Sequence, residues 1–206
     1  METLNKKDHW EKIYETKQPT EVSWFQVYPK TSMEFVNLFE LPKNAKIIDI
    51  GGGDSNFVDS LLENGFTNIT VLDISANAIE RAKKRLGDKA DSVTWIVSDV
   101  TDFNPSVQYD FWHDRAAFHF LTTEELADKY VDIAKKGIAK NGYLILGTFS
   151  ESGPLKCSGL EIKQYSEKEM SRKFENGFRR IKCIHEDHMT PFNTVQNFLF
   201  CSFQRE

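Results

Sequence analysis

A short apolar run that ends in three consecutive glycines constrains this chain more than any other feature. Residues 47–50 are rich in isoleucine, as in a parallel strand that is buried on both faces. Residues 51–53 are glycines, and from Phe57 apolar residues recur at helical spacing. Glycines let the backbone turn sharply and leave room for a ligand where a Cβ would collide. The pattern predicts a buried strand, a glycine turn and a helix, which together can hold a nucleotide-like ligand.

Two later strands are each predicted to end in an acid. Residues 69–73 predict a second strand that ends at Asp73, and residues 93–99 predict a third that ends at Asp99. Ligands in open α/β sheets bind at the carboxyl ends of the strands, so both acids are expected on the edge that carries the glycine turn. A carboxylate at the end of the second strand can accept hydrogen bonds from both hydroxyls of a ribose.

A dinucleotide site is one interpretation of this order. Its G-x-G-x-x-G fingerprint, counted from Gly51 and Gly53, requires a third glycine where this chain has Asn56. A bulky residue there blocks the close helix packing that the third glycine permits. Asp49 adds negative charge near the position of a pyrophosphate, so it suits a ligand with a positively charged end instead.

The segment Asp49-x-Gly51-x-Gly53 resembles the first motif of the class I methyltransferases that depend on S-adenosylmethionine (SAM). In the same resemblance, Asp73 matches the acid that binds the ribose, and Asp99 matches the acid that meets the adenine amine. The resemblance covers roughly residues 44–150. The chain departs from the family pattern at Ser55, where the family often has a glycine. The resemblance implies that SAM is the cofactor.

The remaining strands complete a sheet of mixed direction. Residues 109–112 and 142–149 predict a fourth and a fifth strand. Residues 178–188 and 196–203 are extended segments with no helix between them, so they must pair antiparallel. The predicted fold class is α/β. As the resemblance implies, it is a Rossmann-like seven-stranded sheet with helices on both faces and a terminal antiparallel hairpin.

Capping residues predict where three helices begin. Ser75 precedes the helix after the second strand, and Thr122 or Thr123 precedes a helix that follows the fourth strand. Ser166, with Glu169 three residues later, has the form of a capping box.

Length, composition and charge predict one domain. A chain of 206 residues with 40% hydrophobic content can bury a full core. We expect a helical lid segment over residues 1–42 and the methyltransferase domain over residues 43–206. The net charge is −5, and no block of basic residues suggests a nucleic-acid or membrane partner.

The cysteines and the N-terminus predict a cytoplasmic protein. Cys157, Cys183 and Cys201 are an odd number without metal-ligand spacing, so we expect reduced thiols and no metal site. The first ten residues contain no apolar signal core, and no run is long enough for a transmembrane helix.

An aromatic segment precedes the first strand. Trp24 and Phe25 lie in a polar stretch, residues 23–29, that can fold over the cofactor as a lid. Aromatic faces attract a sulfonium and exclude water from it. The alternative is that both rings only anchor the N-terminus on the core. The resemblance favours the lid, because an N-terminal tryptophan commonly contacts SAM in this family.

Four ionisable residues follow the predicted fourth strand within seven positions. His113 could act as a general base or as a hydrogen-bond partner of SAM, and Arg115 could orient the acceptor. The alternative is a salt-bridged turn in which Asp114 and Arg115 only fix the loop. His119 lies between two phenylalanines and can equally be a packed core residue.

These arguments define two sets of site residues. The catalytic candidates are His113 and Arg115. The candidates for binding SAM are Trp24, Asp49, Gly51, Gly52, Gly53, Asp73, Ile74, Asp99, Val100 and His113.

The identity of the methyl acceptor stays open. The enclosing aromatics and compact insertions favour a small molecule, such as a thiol or another soft nucleophile. Trp24-Phe25-Gln26 followed by a proline also resembles the N-terminal segment of small protein-lysine methyltransferases. A regulator that binds SAM or a nucleotide without turnover is the third possibility, because no catalytic base is unmistakable. The oligomeric state is not predicted.

Overall fold

A computed structural model describes residues 5–206. Residues 1–4 of the expected lid segment lie outside this range. Within it, the α-helices are α1 (Lys6–Thr16), α2 (Lys30–Leu38), α3 (Phe57–Glu63), α4 (Ala76–Leu86), α5 (Glu124–Gly137) and α6 (Glu167–Phe174). The strands are β1 (Ile47–Ile50), β2 (Ile69–Asp73), β3 (Val93–Val97), β4 (Tyr109–Arg115), β5 (Ile138–Phe149), β6 (Lys156–Cys157), β7 (Leu160–Glu161), β8 (Phe178–Met189) and β9 (Val195–Arg205).

Seven of the strands form one sheet in the order β3-β2-β1-β4-β5-β9-β8. The first five run parallel, β9 is antiparallel to β5, and β8 is antiparallel to β9. The short strands β6 and β7 pair as a separate ribbon. The predicted seven-stranded α/β sheet with a terminal antiparallel hairpin is confirmed.

Alternate residues of β1 face two separate layers of the core. Ile48 and Ile50 pack in the cluster that contains Tyr130 of α5. Ile47 packs in the cluster that contains Phe35 of α2 and Phe57 of α3. All four residues of β1 are buried, as expected for a central parallel strand covered on both faces.

The capping predictions hold at the starts of three helices. The side chain of Ser75 accepts a hydrogen bond from the backbone N–H of Ala78, and Thr123, rather than Thr122, caps α5. Ser166 and Glu169 form the predicted capping box at α6.

The fourth strand is longer than predicted. It continues through His113 and Asp114 to Arg115, so these residues lie on β4 and not in a loop after it. Parallel pairing with both β1 and β5 extends the strand, because His113 has Asp49 as its partner on one side and Ile145 on the other.

The expectation of three reduced thiols is wrong for two of them. Cys183 and Cys201 form a disulfide between β8 and β9, with their Cα atoms 4.1 Å apart. The reason is the hairpin register, which places the two residues directly opposite each other. Cys157 is a free, buried thiol. Between Asn5 and Glu206, no helix is long and apolar enough to cross a membrane.

Candidate functional site

Two adjoining clefts open at the carboxyl ends of β1, β2 and β4. The larger encloses about 800 Å³ and the smaller about 660 Å³, both measured to their open mouths. They share four wall residues, Tyr14, Trp24, Gly51 and Arg115. The glycine turn therefore lies where the two clefts meet, as the position of a ligand in an open α/β sheet requires.

Asp73 lies in the wall of the larger cleft at the end of β2. The residue is 5% exposed, and its Oδ1 accepts a hydrogen bond of 2.8 Å from the backbone N–H of Ser75. Burial, together with the smaller effects of the negative charges of Asp49 and Glu11, raises the pKa of this carboxyl to about 7. A buried carboxyl without a cationic partner is a good acceptor for the hydroxyl donors of a ligand.

Asp99 lies in the same cleft beyond β3. Its Oδ1 accepts hydrogen bonds of 2.8 Å from both the backbone N–H and the hydroxyl of Thr101. This acid therefore caps a short 3-10 helix, Val100–Asp102, as well as facing the cleft. Ile74 and Val100 supply apolar wall beside the two acids.

The three glycines have different neighbours. Gly51 has φ +64°, and a Cβ there would lie 2.8 Å from the Cβ of Ala117. A Cβ on Gly52 would collide with Oδ2 of Asp49. Gly53 has φ +32° and lines neither cleft, and a Cβ there would lie 2.6 Å from Oδ2 of Asp73. The turn thus makes room for two carboxylates.

His113 lies in the wall of the smaller cleft with both ring nitrogens occupied. Its Nδ1 donates to Oδ1 of Asp49 at 2.7 Å, and its Nε2 lies 2.8 Å from the hydroxyl of Ser32. The residue is 2% exposed and its ring packs on Phe57 at 4.1 Å. This arrangement fixes the orientation of Asp49 and leaves neither nitrogen free to take a proton from an acceptor.

Asp114 holds the turn that follows β4. Its Oδ1 accepts hydrogen bonds from the backbone N–H groups of Ala117 and Phe118, and its Oδ2 accepts from the hydroxyl of Tyr130 at 2.8 Å. Tyr130 in turn accepts a hydrogen bond from Trp112. Asp114 therefore fixes the turn, as the alternative interpretation of this segment predicted. It does so through hydrogen bonds and not through a salt bridge.

Arg115 lies in the walls of both clefts. Its Nη1 donates to the backbone carbonyl of Trp24 at 3.0 Å, and its guanidinium lies 4.7 Å from the centre of the Phe198 ring. Burial lowers the pKa of this guanidinium to about 10, so it remains a cation at neutral pH. Arg115, the candidate for orienting the methyl acceptor, therefore lies at the junction of the clefts. His119 is buried and lines neither of them.

Helix α1 contributes residues that the sequence did not identify. Trp10 lies edge-on to Trp24 at 5.7 Å and to Phe120 at 5.2 Å, and Tyr14 lies 6.4 Å from Trp24. These rings cover the larger cleft. Trp10 and Tyr14 have the four-residue spacing of one helix face, but no pattern in the sequence indicates what that face covers.

A carboxylate attaches α1 beside the site. Glu11 accepts hydrogen bonds from the hydroxyl of Ser75 and from the backbone N–H groups of Ala76 and Asn77, at 2.7–3.0 Å. These donors form the first turn of α4, where a negative charge is favoured. Arg81 of α4 donates to backbone carbonyls at the end of α1.

Two segments late in the sequence, residues 152–160 and 185–192, could form walls of the site, and the structure places them partly there. Cys157 lines the larger cleft, and burial raises the pKa of its thiol to about 12, which keeps it protonated. His188 donates a hydrogen bond of 2.7 Å from Nε2 to the carbonyl of Ser23, next to Trp24. The hairpin thus supports the aromatic segment without lining the clefts.

Known proteins are similar to this chain over its central part. Residues 47–142 match the family model described as a methyltransferase domain. EEF1A lysine methyltransferase 2 of Mus musculus is 29% identical over 123 residues, which are 53% of this chain and 48% of that protein. Malonyl-[acyl-carrier protein] O-methyltransferase 1 of Ilyobacter polytropus is 36% identical over 81 residues, which are 38% of this chain and 30% of that protein. The chain spans less than half the length of these two relatives.

The similarity of the fold extends beyond the matched domain. The solved structure of the N-methyltransferase NodS from Bradyrhizobium japonicum WM9, in complex with S-adenosyl-L-homocysteine, has a TM-score of 0.70 at 15% identity. The superposition covers 96% of this chain and 99% of the NodS chain. The N-terminal elements therefore belong to the shared architecture.

The domain match over residues 47–142, the sheet order and the strand-edge site agree with the class I SAM-dependent methyltransferases. SAM is the methyl donor of that family. The residues fit it, because the buried carboxyl of Asp73 can accept the ribose hydroxyls and the apolar side chains of Ile74 and Val100 can cover an adenine. Gly51 lies in the wall that the two clefts share, where an added Cβ would meet Ala117.

Proposed function

We propose that this protein transfers the methyl group of SAM to a small-molecule nucleophile. The observation that carries the proposal is the aromatic cover of the larger cleft, which Trp10, Tyr14, Trp24 and Phe120 form directly beside the wall that holds Asp73. A cleft covered by four rings suits a compact acceptor better than a protein segment. Aromatic rings also exclude water and favour a nearby sulfonium.

The chain's own residues would divide the work between binding and alignment. Asp73 would hold the ribose, Asp99 the adenine amine, and Asp49 the positively charged amino group. His113 would keep the carboxylate of Asp49 in place through its 2.7 Å hydrogen bond. When bound, SAM supplies a methyl carbon that its sulfonium already activates for in-line displacement. The protein must therefore mainly align and dry the site, and alignment alone can contribute roughly 7–11 kcal/mol.

A lysine side chain is the second candidate acceptor. The observation in its favour is the relative named EEF1A lysine methyltransferase 2, which is 29% identical over 123 residues. A second relative is named for an O-methyltransferase reaction on malonyl-[acyl-carrier protein], so the relatives do not agree on one acceptor. The aromatic cover of the larger cleft favours a small-molecule acceptor over a lysine side chain.

The test combines binding with a search for methylated products. Calorimetry should show that SAM and S-adenosylhomocysteine bind and that NAD does not. Incubation with SAM that carries a labelled methyl group should then transfer the label from the cofactor to the metabolite fraction of a lysate and leave the protein fraction unlabelled. Asp73→Ala, in which SAM should bind about one to two orders of magnitude more weakly, serves as the control at a SAM concentration near the Kd of the parent. Label in protein only would favour the lysine acceptor, and cofactor binding without any transfer would favour a non-catalytic SAM-binding regulator.

A cytoplasmic location is also a proposal. It rests on the composition and charge of the sequence. The Cys183–Cys201 disulfide gives it no support, because disulfides are rare in reducing compartments. Fractionation of the source cells, followed by thiol labelling of the isolated protein, would test both points.

A further inference from the structure

The backbone around Arg115 directs this side chain to the junction of the two clefts. Arg115 is the last residue of β4, and the next residue, Ala116, has φ +72°, a conformation that is strained for a residue with a Cβ. The backbone N–H of Ala116 donates to the carbonyl of Gly147 at 2.8 Å, which fixes the turn. Strained backbone of this kind is often retained where it positions a functional side chain.

The charge of Arg115 is not neutralised by direct contact. Across residues 5–206, no carboxylate oxygen lies within 4.0 Å of its guanidinium, whereas Arg81 and Arg85 are paired with Asp54. Its Nε and Nη2 atoms are buried and have no hydrogen-bond partner within the same range. Because a buried cation without a partner is costly, this arrangement calls for an anion from outside the chain.

The groups around Arg115 do not supply that anion by direct contact. Asp49 is held by His113. Glu186 of β8 accepts a hydrogen bond of 3.4 Å from Gln26 through Oε1, and its Oε2 is buried without a partner among the described residues. The charges of Glu186 and Asp49 act on Arg115 from beyond salt-bridge distance and only partly offset the effect of burial on its pKa. Burial holds the thiol of Cys157 protonated, with its pKa raised to about 12. Burial likewise lowers the pKa of two neighbouring histidines, His119 (to about 3) and His188, and both effects favour neutral rings.

The two unpartnered nitrogens have the geometry of a carboxylate site. Nε and Nη2 form one edge of the planar guanidinium, and a carboxylate can accept from two parallel N–H groups on such an edge. Both atoms are covered in the described conformation, and Nη1 is held by the carbonyl of Trp24. An anion would therefore reach this edge only when the segment around Trp24 moves. Binding of the anion would then be coupled to movement of the aromatic cover.

We propose that Arg115 binds a carboxylate of the methyl acceptor, so that the acceptor is a small organic acid. This inference rests on the proposed function, because it names the substrate class of the same site. Arg115 holds the acceptor through a pair of charge-assisted hydrogen bonds and leaves the reacting atom beside the donor methyl. A lysine ammonium at this position would instead meet a like charge.

The test uses an acid and its amide as matched acceptors, 3-mercaptopropionate and 3-mercaptopropionamide. The parent protein should methylate the acid with a much lower KM than the amide. Arg115→Gln should raise the KM for the acid by about 10²-fold, with a smaller effect on kcat, and should change the KM for the amide little. Arg115→Lys should recover part of the loss. Arg179→Gln, at an exposed arginine of β8, is the control for loss of a positive charge.

The affinity of the protein for S-adenosylhomocysteine shows whether Arg115 binds a carboxylate of the methyl acceptor or the carboxylate of the cofactor. If Arg115→Gln weakens that affinity tenfold, Arg115 binds the carboxylate of the cofactor and the inference is overturned. Equal losses with the acid and the amide would also overturn it. Calorimetric titration of 3-mercaptopropionate into the S-adenosylhomocysteine complex tests the anion site without turnover. Binding that depends on Arg115, in a protein that methylates nothing, would support the anion site and contradict the proposed function alone.

Discussion

The carboxylate of Glu11 accepts a hydrogen bond of 2.7 Å from the hydroxyl of Ser75, and this contact joins α1 to the first turn of α4. Ser75 also donates its backbone N–H to Asp73, the acid in the wall of the larger cleft. The helix that covers the site is thus attached two residues from the candidate ribose acid.

Loss of this attachment should loosen the cover. Glu11→Ala removes three hydrogen bonds at a helix N-terminus, so we expect a loss of about 1 kcal/mol in stability and a dissociation rate for S-adenosylhomocysteine that rises several-fold. Stopped-flow fluorescence of Trp10 and Trp24 would follow dissociation. Glu15→Ala, at an exposed position of the same helix, is the control. An unchanged dissociation rate would show that α1 does not gate the cofactor.

Asp73 should determine the affinity for SAM and its pH dependence. Asp73→Ala removes charge-assisted hydrogen bonds, so we expect SAM to bind about one to two orders of magnitude more weakly. Hydroxyl donors favour the ionised carboxylate, whose pKa is about 7 in the ligand-free protein, so affinity should fall as the pH falls below 7. Calorimetry from pH 6 to pH 8 measures both effects. Parent-like affinity in the mutant would exclude the ribose assignment.

The same carboxyl should limit the stability of the ligand-free protein. Its pKa is raised from the ordinary value of 3.8 to about 7, chiefly by burial, so the unfolded chain releases the proton at lower pH than the folded chain. The contribution of Asp73 to the free energy of unfolding should therefore fall by up to about 4 kcal/mol as the pH rises from 4 to 7. Asp73→Asn should remove this loss, so that the mutant is the more stable protein at pH 8. Urea unfolding at pH 5 and pH 8 tests it, and equal pH dependence in both proteins would contradict it.

Side chains on the glycine turn should abolish SAM binding in two ways. Gly51→Val adds a Cβ at φ +64° that displaces Ala117 in the wall of the larger cleft, whereas Gly53→Val displaces the carboxylate of Asp73. Calorimetry measures the loss, and circular dichroism shows whether each variant is folded. Gly65→Ala, where an added Cβ meets no atom within 4 Å, controls for strain alone because Gly65 also has positive φ. Retained binding in a folded Gly51→Val protein would place the cofactor elsewhere.

His113 should act through Asp49. Because both of its nitrogens are engaged, His113→Ala should weaken SAM binding and lower turnover, while the shape of the pH–rate profile stays that of the parent. A general base would behave differently, since its removal abolishes a limb of that profile and costs roughly 10²–10⁴ in rate. Ser32→Ala, which removes only one of the two partners, should have the same effect at smaller size. Turnover from pH 6 to pH 9 distinguishes the two roles.

Local patterns predicted most of this fold. The isoleucine strand, the glycine turn and the strand-end acids are each encoded within a few residues, and sheet topology then brings them together. Two features of the site depend on contacts between distant parts of the chain. Glu11 meets Ser75 across 64 residues, and His113 meets Ser32 across 81 residues. No local pattern in either segment specifies these partners.

The register of the terminal hairpin could not be predicted for a similar reason. Alternation shows which residues of a strand share a face, but a shift of two residues preserves that pattern and changes every partner. The pairing of Cys183 with Cys201 depends on this register, which includes an irregularity between Arg180 and Lys182. The cysteines therefore gave no sign of their partner in the sequence.

The position of β8 at the end of the sheet has a consequence for how copies of this protein behave at high concentration. A strand of 12 residues presents unpaired backbone groups along one side, which is a template for strand-to-strand aggregation. Arg179 and Lys182 are exposed near its start. Two copies whose β8 strands paired parallel and in register, as in a fibril, would bring these positive charges together. The charges thus oppose fibril-like assembly at the end of the sheet where one more strand could most easily be added.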